Sequence, residues 1–129
     1  MSFKPSQYNS LSPYLIVDEA QNLADSLIAI FDAEILRKYV RDNGKIVHME
    51  LKLDDSVLML SDSTENYPAI RTVLHFYVPD VYKTFERAIQ QGCKSIEEPN
   101  QKPGDPDVRG TFYDIAGNIW SIGTQVQDS

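Results

Sequence analysis

Two stretches of the chain, 61 residues apart, show the same order of a short apolar strand followed by an amphipathic helix. The first strand covers residues 13–17 and the second covers residues 73–78. The same offset pairs Val17 with Val78, Leu27 with Ala88, Ile28 with Ile89, Ile35 with Ile96, and Val47 with Val108. Chance spacing of similar elements is the alternative. Because one offset holds across several elements, the pattern favours a duplicated module.

Each predicted helix is indicated by apolar residues at helical spacing and by a capping residue before it. The first helix spans about Glu19–Phe31, with Asp18 as its predicted N-cap in a capping box. The second spans about Val81–Gln91, with Asp80 as its N-cap. Gly92 follows it, where a left-handed residue commonly ends a helix.

The other segments alternate apolar and polar residues, as strands do when one face packs on a helix and the other does not. The clearest strand, 46–53, follows Asn43-Gly44, which is a strong hairpin signal. The other predicted strands are 32–39 and 57–60 in the first half, and 94–98, 108–114 and 119–125 in the second. Residues 100–107 contain two prolines and a glycine, which predicts a loop.

Each half is therefore a strand, a helix and three further strands. We predict an α+β fold, a tandem pair of βαβββ modules forming a curved, cup-like, mixed or antiparallel eight-stranded sheet with the helices outside. The chain 1–129 would be a single domain, with module 1 at about 11–62, a linker at 63–71 and module 2 at about 72–126. One such module alone would be marginal in stability, so the two are expected to associate.

Charge and cysteine content limit the classes of partner. Lys plus Arg number 12 and Asp plus Glu number 19, giving a net charge of −7. This balance argues against nucleic acid or an anionic membrane surface as the main partner. The single cysteine, Cys93, excludes an internal disulfide framework. With no apolar run long enough for a signal peptide or a membrane span, we expect a cytoplasmic protein.

Strand alternation also assigns the faces of the sheets. Val47, Met49 and Leu51 are expected to face the helix, which leaves His48 and Glu50 on the opposite face. We call the concave surface formed by these opposite faces the cup. Its predicted lining joins polar and aromatic residues, as small-ligand sites do. These residues are Tyr14, His48, Glu50 and Met59 in module 1, and His75, Tyr77, Arg109, Thr111, Tyr113 and Ser121 in module 2.

Four segments carry a family resemblance over about residues 11–125. They are Ser12-Pro13-Tyr14-Leu15-Ile16-Val17, Val47-His48-Met49-Glu50-Leu51, Leu74-His75-Phe76-Tyr77-Val78-Pro79-Asp80-Val81, and Asp114-Ile115-Ala116-Gly117-Asn118-Ile119-Trp120-Ser121. On the duplicated frame, they resemble the glyoxalase/bleomycin-resistance/extradiol-dioxygenase family of the vicinal oxygen chelate superfamily. One departure is Ile115, where the family's closing segment usually has proline.

The resemblance also implies where a metal would bind. Metal-dependent members use one inward residue from each of four strands, and those positions fall here on Ser12, Met59, Val73 and Ser121. Members that bind metal have histidine or carboxylate at these positions, which hard or borderline divalent ions require. The chain therefore resembles a branch without the metal site, and we predict no metal cofactor.

The polar residues of the cup leave three readings open. His48, Glu50 and His75 form an alternative ligand set for iron or zinc, since two imidazoles and a carboxylate bind such ions. The same residues also fit a hydrogen-bonded ligand pocket. A structural ion pair between Glu50 and Arg109 is the third reading. We rank the pocket ahead of the metal site.

Two functions follow as hypotheses. The first is a metal-free protein that binds a small organic molecule, with Tyr14, Tyr77 and Tyr113 stacking on planar groups and Arg109 pairing with a carboxylate or phosphate. The alternative is a metal-dependent enzyme of the lyase, isomerase or dioxygenase type. In that enzyme Glu50 or His48 would act as general base.

Association of two chains is a further expectation. Members of the resembled family commonly pair, and pairing covers exposed strand edges. We therefore predict a homodimer. A homodimer whose cup has lost its function is the remaining alternative.

Overall fold

The structure is a computed structural model that describes residues 1–128. The chain divides into two compact units, residues 1–70 (unit 1) and residues 71 onward (unit 2). No helix within the described residues is long and apolar enough to cross a membrane. The predicted limits of the single domain, its linker and its modules stay predictions.

Unit 1 contains one helix and a four-stranded mixed sheet. Its elements are β1 (Tyr14–Val17), α1 (Ala20–Phe31), β2 (Glu34–Val40), β3 (Ile46–Leu53) and β4 (Ser56–Asp62). The strands lie in the order β1-β4-β3-β2. β1 runs parallel to β4, whereas the other neighbours are antiparallel. The crossover through α1 explains the parallel pair, because α1 lies between β1 and the β2–β3–β4 meander in the sequence.

Unit 2 repeats this plan. Its elements are β5 (Val73–Tyr77), α2 (Val81–Gln90), β6 (Lys94–Asn100), β7 (Asp107–Tyr113) and β8 (Ile119–Gln125). The strands lie in the order β5-β8-β7-β6, with β5 parallel to β8. The α+β class and the tandem pair of βαβββ modules are confirmed. The joining of both sheets into one cup remains the prediction stated above.

Strand register within each unit follows the duplication, with an offset of 61 that becomes 62 at the last strand because that strand has one inserted residue. Met59 on β4 lies beside Tyr14 on one side and Glu50 on the other. Ser121 on β8 lies in the same way between His75 and Thr111. The pairs that the duplication predicted to be equivalent therefore occupy equivalent places in the two sheets.

The start of α1 differs from the prediction. Asp18 does not cap the helix; its carboxylate accepts a hydrogen bond from the Ser63 hydroxyl. The buried Asp62 carboxylate at the end of β4 performs the capping. It accepts the backbone N–H of Ala20 at 2.9 Å and that of Ile46 at 2.6 Å. One carboxylate thus joins the first turn of α1 to the first residue of β3, a contact between residues far apart in the chain.

The start and end of α2 agree with the prediction. Asp80 accepts the backbone N–H of Lys83 at 3.2 Å. Gly92, just after the helix, has a φ of 92°, a conformation that costs a side-chain-bearing residue energy. The capping signals were local in this helix, and local signals are what a sequence pattern reports.

Each helix buries one apolar face against its own sheet. α1 packs on β3 and β4, and α2 packs on β6, β7 and β8. Trp120 is 2% exposed. The buried residues of unit 1 include Leu15, Leu23, Leu27, Ile30, Met49, Leu51 and Leu60, and those of unit 2 include Val81, Phe85, Ala88, Phe112, Trp120 and Ile122.

A β-bulge at the start of β3 overturns the assignment of Val47 to the helix side. The register shifts between the pairs Tyr39–His48 and Val40–Ile46. As a result Ile46 is buried, whereas Val47 is 43% exposed. An extra residue in one strand interrupts simple alternation, and the sequence carries no mark of where the insertion falls.

Candidate functional site

A chain of hydrogen bonds on the sheet of unit 1 links three predicted site residues. The Tyr14 hydroxyl oxygen lies 3.0 Å from Nδ1 of His48. Nε2 of the same imidazole lies 2.8 Å from Oε2 of Glu50. The three side chains come from β1 and β3, the two strands that flank β4. The sequence placed them on one face, and in the structure they are joined end to end.

Glu50 is the buried end of this chain. Its carboxylate accepts a 2.5 Å hydrogen bond from the Tyr8 hydroxyl and lies 3.6 Å from Nε of Arg37. Burial raises the pKa of the Glu50 carboxyl. The hydrogen bonds from Tyr8 and His48 and the charge of Arg37 outweigh burial, so the pKa is below its usual value. Glu50 is therefore an ionised acceptor at neutral pH.

Tyr8 and Arg37 complete the cluster, and the sequence analysis missed both. The hydrogen bond to Glu50 raises the pKa of the Tyr8 phenol. The Arg37 guanidinium lies 5.5 Å from the centre of the Tyr8 ring, within cation–π range. Arg37 was detectable, because a hairpin centred on Asn43-Gly44 places it opposite Glu50. Tyr8 gave no signal, since the residues before β1 have no periodicity.

An open cavity of about 470 Å³ lies in unit 1. Two tyrosines and two aliphatic side chains give it an aromatic and apolar character, and it also carries one arginine. Within residues 1–128 the Arg41 guanidinium has no hydrogen bond or ion pair. The lining residues are Tyr14, Ile16, Arg41, Val47, Ser61, Asp62, Thr64 and Tyr67.

The polar groups of unit 2 gather around Arg109. Its Nε lies 3.0 Å from Asp105, and its Nη2 lies 2.6 Å from the buried Asp107. Nη1 donates to Nε2 of His75 at 2.8 Å. The Tyr77 hydroxyl donates to the same Asp107 oxygen at 2.6 Å. Three of these residues were predicted site residues, and the two aspartates were not.

This arrangement sets the ionisation of its members. The hydrogen bond to Asp107 raises the pKa of the Tyr77 phenol. Burial, and then the charge of Arg109, hold the pKa of His75 below its usual value. His75 is therefore neutral at pH 7, with its Nε2 lone pair accepting from the guanidinium. The aspartates were missed because they lie at and just before the start of β7, in a segment predicted to be loop.

A cavity in unit 2 has a volume of about 110 Å³, much smaller than the cavity in unit 1. Arg109, Thr111 and Ser121 are predicted site residues that line it. A volume of this size holds a few waters rather than a drug-sized molecule, for which pockets run to about 300 Å³ or more. The lining is Glu97, Asn100, Lys102, Asp105, Arg109, Gly110, Thr111 and Ser121.

The remaining site predictions have mixed outcomes. Met59 lies between Tyr14 and Glu50 in the sheet, whereas the contacts of Tyr113 bring it to none of the clusters described above. Glu50 and Arg109 each form ion pairs within their own unit. The use of these residues as one ligand site stays a prediction.

The metal alternative gains no support. Within residues 1–128 no group of three or more His, Cys, Asp or Glu side chains has the arrangement to hold a metal ion. His48 and Glu50 are bonded to one another instead. Neither residue lines the cavity of unit 1, and the hydrogen-bonded pocket stays a prediction.

Comparison with known proteins identifies the fold. No family model matches the chain. An uncharacterised protein of Mycobacterium tuberculosis, Rv0887c, is 28% identical over 131 residues, which cover 92% of this chain and 76% of that protein. A similar uncharacterised protein, Mb0911c of Mycobacterium bovis, has the same identity and 85% of its length covered.

Solved structures are similar over nearly the whole chain. TioX from Micromonospora sp. ML1 has a TM-score of 0.77 at 19% identity, covering 91% of this chain and 98% of TioX. TnmS3, an antibiotic binding protein from Streptomyces sp. CB03234, has a TM-score of 0.70 at 17% identity, covering 97% and 98%. A glyoxalase/bleomycin resistance protein/dioxygenase family enzyme from Burkholderia phytofirmans PsJN has a TM-score of 0.70 at 14% identity, covering 88% and 96%. The fold is that of the glyoxalase/bleomycin-resistance proteins, as the resemblance implied.

Proposed function

We propose that this protein binds a small organic molecule in the cavity of unit 1. The cavity itself is the observation that carries the proposal. Its volume of about 470 Å³ lies within the range of ligand pockets, about 300–1,000 Å³. Its lining also has the usual chemistry of such pockets, which is mostly apolar with a few polar groups that fix orientation.

The lining favours a planar or apolar molecule with an anionic group. Tyr14 and Tyr67 offer aromatic surfaces on which such a molecule stacks. Arg41 is the cation available to it, because it has no other partner within the described residues. Asp62 also lines the cavity, and the two backbone N–H groups that its oxygens accept partly offset its repulsion of an anion. TnmS3, which shares the fold, is an antibiotic binding protein, and this supports a binding role.

The predicted contacts in unit 2 belong to the proposal in a secondary role. The Arg109 guanidinium is already held by two aspartates and His75. A ligand carboxylate would have to displace one of these partners, so we assign anion recognition to Arg41 instead. The others, His75, Tyr77, Thr111, Tyr113 and Ser121, stay predicted ligand contacts.

The experiment uses 8-anilinonaphthalene-1-sulfonate, an aromatic anion whose fluorescence rises in apolar cavities. We expect saturable binding to the folded protein. Arg41→Gln should weaken it about tenfold, the loss typical of one charge-assisted contact. Lys38→Gln, which removes an equal charge from the exposed face of β2, is the matched control and should leave the affinity unchanged. Absence of saturable binding, or equal weakening by both variants, contradicts the proposal.

A second candidate function is proton-transfer catalysis of the lyase or isomerase type. One observation favours it, the hydrogen-bonded chain from Glu50 through His48 to Tyr14. Glu50 and His48 are poorly placed to take a proton directly from a bound molecule, because Glu50 is buried and the two nitrogens of His48 contact Glu50 and Tyr14. The exposed end of the chain is Tyr14.

The predicted homodimer is also part of the proposal. β2 is an edge strand of its sheet, and Ile35, Tyr39 and Val40 on it are each at least 45% exposed. A second copy would cover this apolar edge. Light scattering at micromolar concentration should give twice the chain mass of 14.6 kDa, and a monomer mass would refute the pairing. We keep the cytoplasmic location and the absence of nucleic-acid and membrane partners as proposals, the latter supported by the net charge of −7.

A further inference from the structure

We propose that Tyr14 is an activated phenol that exchanges a proton with an organic molecule in the cavity of unit 1. His48 is the base that accepts the Tyr14 proton. Glu50 positions His48 and stabilises its protonated form. The inference shares its cavity with the proposed binding function. It does not depend on Arg41, so the two proposals fail separately.

The direction of each hydrogen bond follows from the ionised Glu50. A carboxylate only accepts, so Nε2 of His48 must carry the proton that it donates to Oε2. In a neutral imidazole the other nitrogen then has a free lone pair. Nδ1 accepts the Tyr14 O–H at 3.0 Å. The Tyr14 hydroxyl therefore donates to His48, and the bond from the other imidazole nitrogen to the Glu50 carboxylate fixes the orientation of the ring.

We call the hydrogen-bonded series Glu50, His48 and Tyr14 the relay. Exposure increases along the relay from Glu50 to Tyr14. The side chain of Glu50 is 4% exposed and that of His48 is 25% exposed. Tyr14 is 45% exposed and lines the cavity. The charge of Glu50 is held where water is excluded, and Tyr14 is the member of the three that lines the cavity. This order is the argument for Tyr14 over the two less exposed groups.

The proton transfer balances without any co-reactant. The O–H bond of an acidic group on the bound molecule breaks, and its proton moves to the Tyr14 oxygen while the Tyr14 proton moves to Nδ1 of His48. The resulting imidazolium is stabilised by Glu50, which stays ionised. The same two transfers in reverse return the proton to the molecule. No bond other than those to hydrogen changes.

Neighbouring groups keep the relay in place. Tyr39 stacks on the His48 imidazole with ring centres 6.4 Å apart. Tyr8 and Arg37 hold Glu50 from the other side. These contacts leave His48 one hydrogen-bond acceptor site, and Tyr14 occupies it. The arrangement is built from three strands and the segment before β1, all within unit 1.

The first experiment measures the reactivity of the phenol itself. An aryl sulfonyl fluoride labels a tyrosine when the phenol oxygen bonds to sulfur, fluoride leaves and the proton passes to a base. Tyr82 on α2 is the internal control, because at 60% exposure it is more accessible than Tyr14. Peptide mass spectrometry at pH 7.5 should show Tyr14 labelled at least about tenfold faster than Tyr82, a modest share of the ~10²–10⁴-fold typical of a positioned base. Equal or slower labelling of Tyr14 overturns the proposal.

Three variants, one at each of the hydrogen-bonded residues, test whether they cause the faster labelling. His48→Gln should bring the Tyr14 rate to within about twofold of that of Tyr82, and Glu50→Gln should lower it in the same direction. Tyr14→Phe should lose the label at residue 14 while Tyr82 keeps its own. Unchanged labelling in a folded His48→Gln variant overturns the role of His48. Fast labelling of Tyr14 in a protein whose dye binding is weakened equally by Arg41→Gln and Lys38→Gln leaves this inference standing and refutes the binding proposal alone.

The second measurement uses the wild-type protein, so it tests the proposal even if a variant fails to fold. The chain has two histidines, and the structure gives them opposite neutral tautomers. His48 should carry its proton on Nε2, whereas His75, whose Nε2 accepts from Arg109, should carry it on Nδ1. Nitrogen-15 NMR of the wild-type protein at pH 8 distinguishes the two forms. A His48 signal of the Nδ1–H type overturns the relay, because that nitrogen could not accept from Tyr14.

Discussion

The Asp62 carboxylate permits a direct comparison of two ways of starting a helix. Asp62 is 9% exposed and accepts two backbone N–H groups, from Ala20 at 2.9 Å and from Ile46 at 2.6 Å. Asp18 is adjacent to the helix in sequence, yet it is exposed and contacts the Ser63 hydroxyl. Asp62→Ala would leave both N–H groups without their acceptor, while Asp18→Ala would remove one exposed contact.

The magnitudes differ enough to be measured. A hydrogen bond to a charged group contributes about 1.5–3 kcal/mol, and an unsatisfied buried donor costs about 1–3 kcal/mol. For two such bonds we expect Asp62→Ala to lower the free energy of unfolding by about 3 kcal/mol or more. Asp62→Asn keeps one oxygen acceptor and should lose about half of that. Asp18→Ala should lose less than about 1 kcal/mol, as exposed interactions do.

Urea unfolding followed by circular dichroism gives these values, provided that the slope against urea is the same for all variants. The expected order of loss is Asp62→Ala, then Asp62→Asn, then Asp18→Ala. A larger loss for Asp18→Ala than for Asp62→Ala would refute the reasoning. In that case the local capping box predicted from the sequence would be the real start of α1.

Three further changes test other parts of the structure. The folded pKa of Glu50 lies below its ordinary 4.5, so the ionised carboxylate stabilises the fold above pH 4.5, and this stabilisation is lost as the pH falls through the folded pKa. Urea unfolding should therefore show that Glu50→Gln lowers the free energy of unfolding more at pH 7 than at pH 3. An equal loss at both pH values would contradict this. Gly110→Ala would bring a methyl group 3.1 Å from Phe85 and Pro99, so thermal unfolding should show a loss of about 1–3 kcal/mol. Asp114→Ala would remove an acceptor of four hydrogen bonds and should cost at least about 3 kcal/mol in urea, a loss under 1 kcal/mol being the contrary result.

The sequence predicted the features that depend on periodicity. The duplication and the alternation within 46–53 and 119–125 predicted the modules and their strands, because period two and a constant offset are properties of the sequence itself. Both limits of β8 and of β3 agree with the prediction. Asp80 and Gly92 were also found, since the helix that they bound lies beside them.

The features that the sequence did not predict depend on contacts between distant residues. Asp62 bonds to Ile46, which is 16 positions away in the chain, and to Ala20, which is 42 positions away. The bulge that exposes Val47 adds one residue to a strand without a change in composition. Tyr8 reaches Glu50 from a segment that has neither helical nor strand periodicity. In each case the fold creates the contact, so no local pattern could report it.

The two modules share a topology but use one equivalent position in opposite ways. His48 and Arg109 are related by the offset of 61, and each is the centre of the polar cluster in its unit. Arg109 is a permanent cation whose donors are taken up by Asp105, Asp107 and His75. A neutral imidazole, in contrast, has one nitrogen that donates a hydrogen bond and one that accepts. The duplication therefore leaves unit 2 with a fixed charge network and unit 1 with a group that is able to transfer protons, which is why the chemistry proposed for this protein lies in the first module.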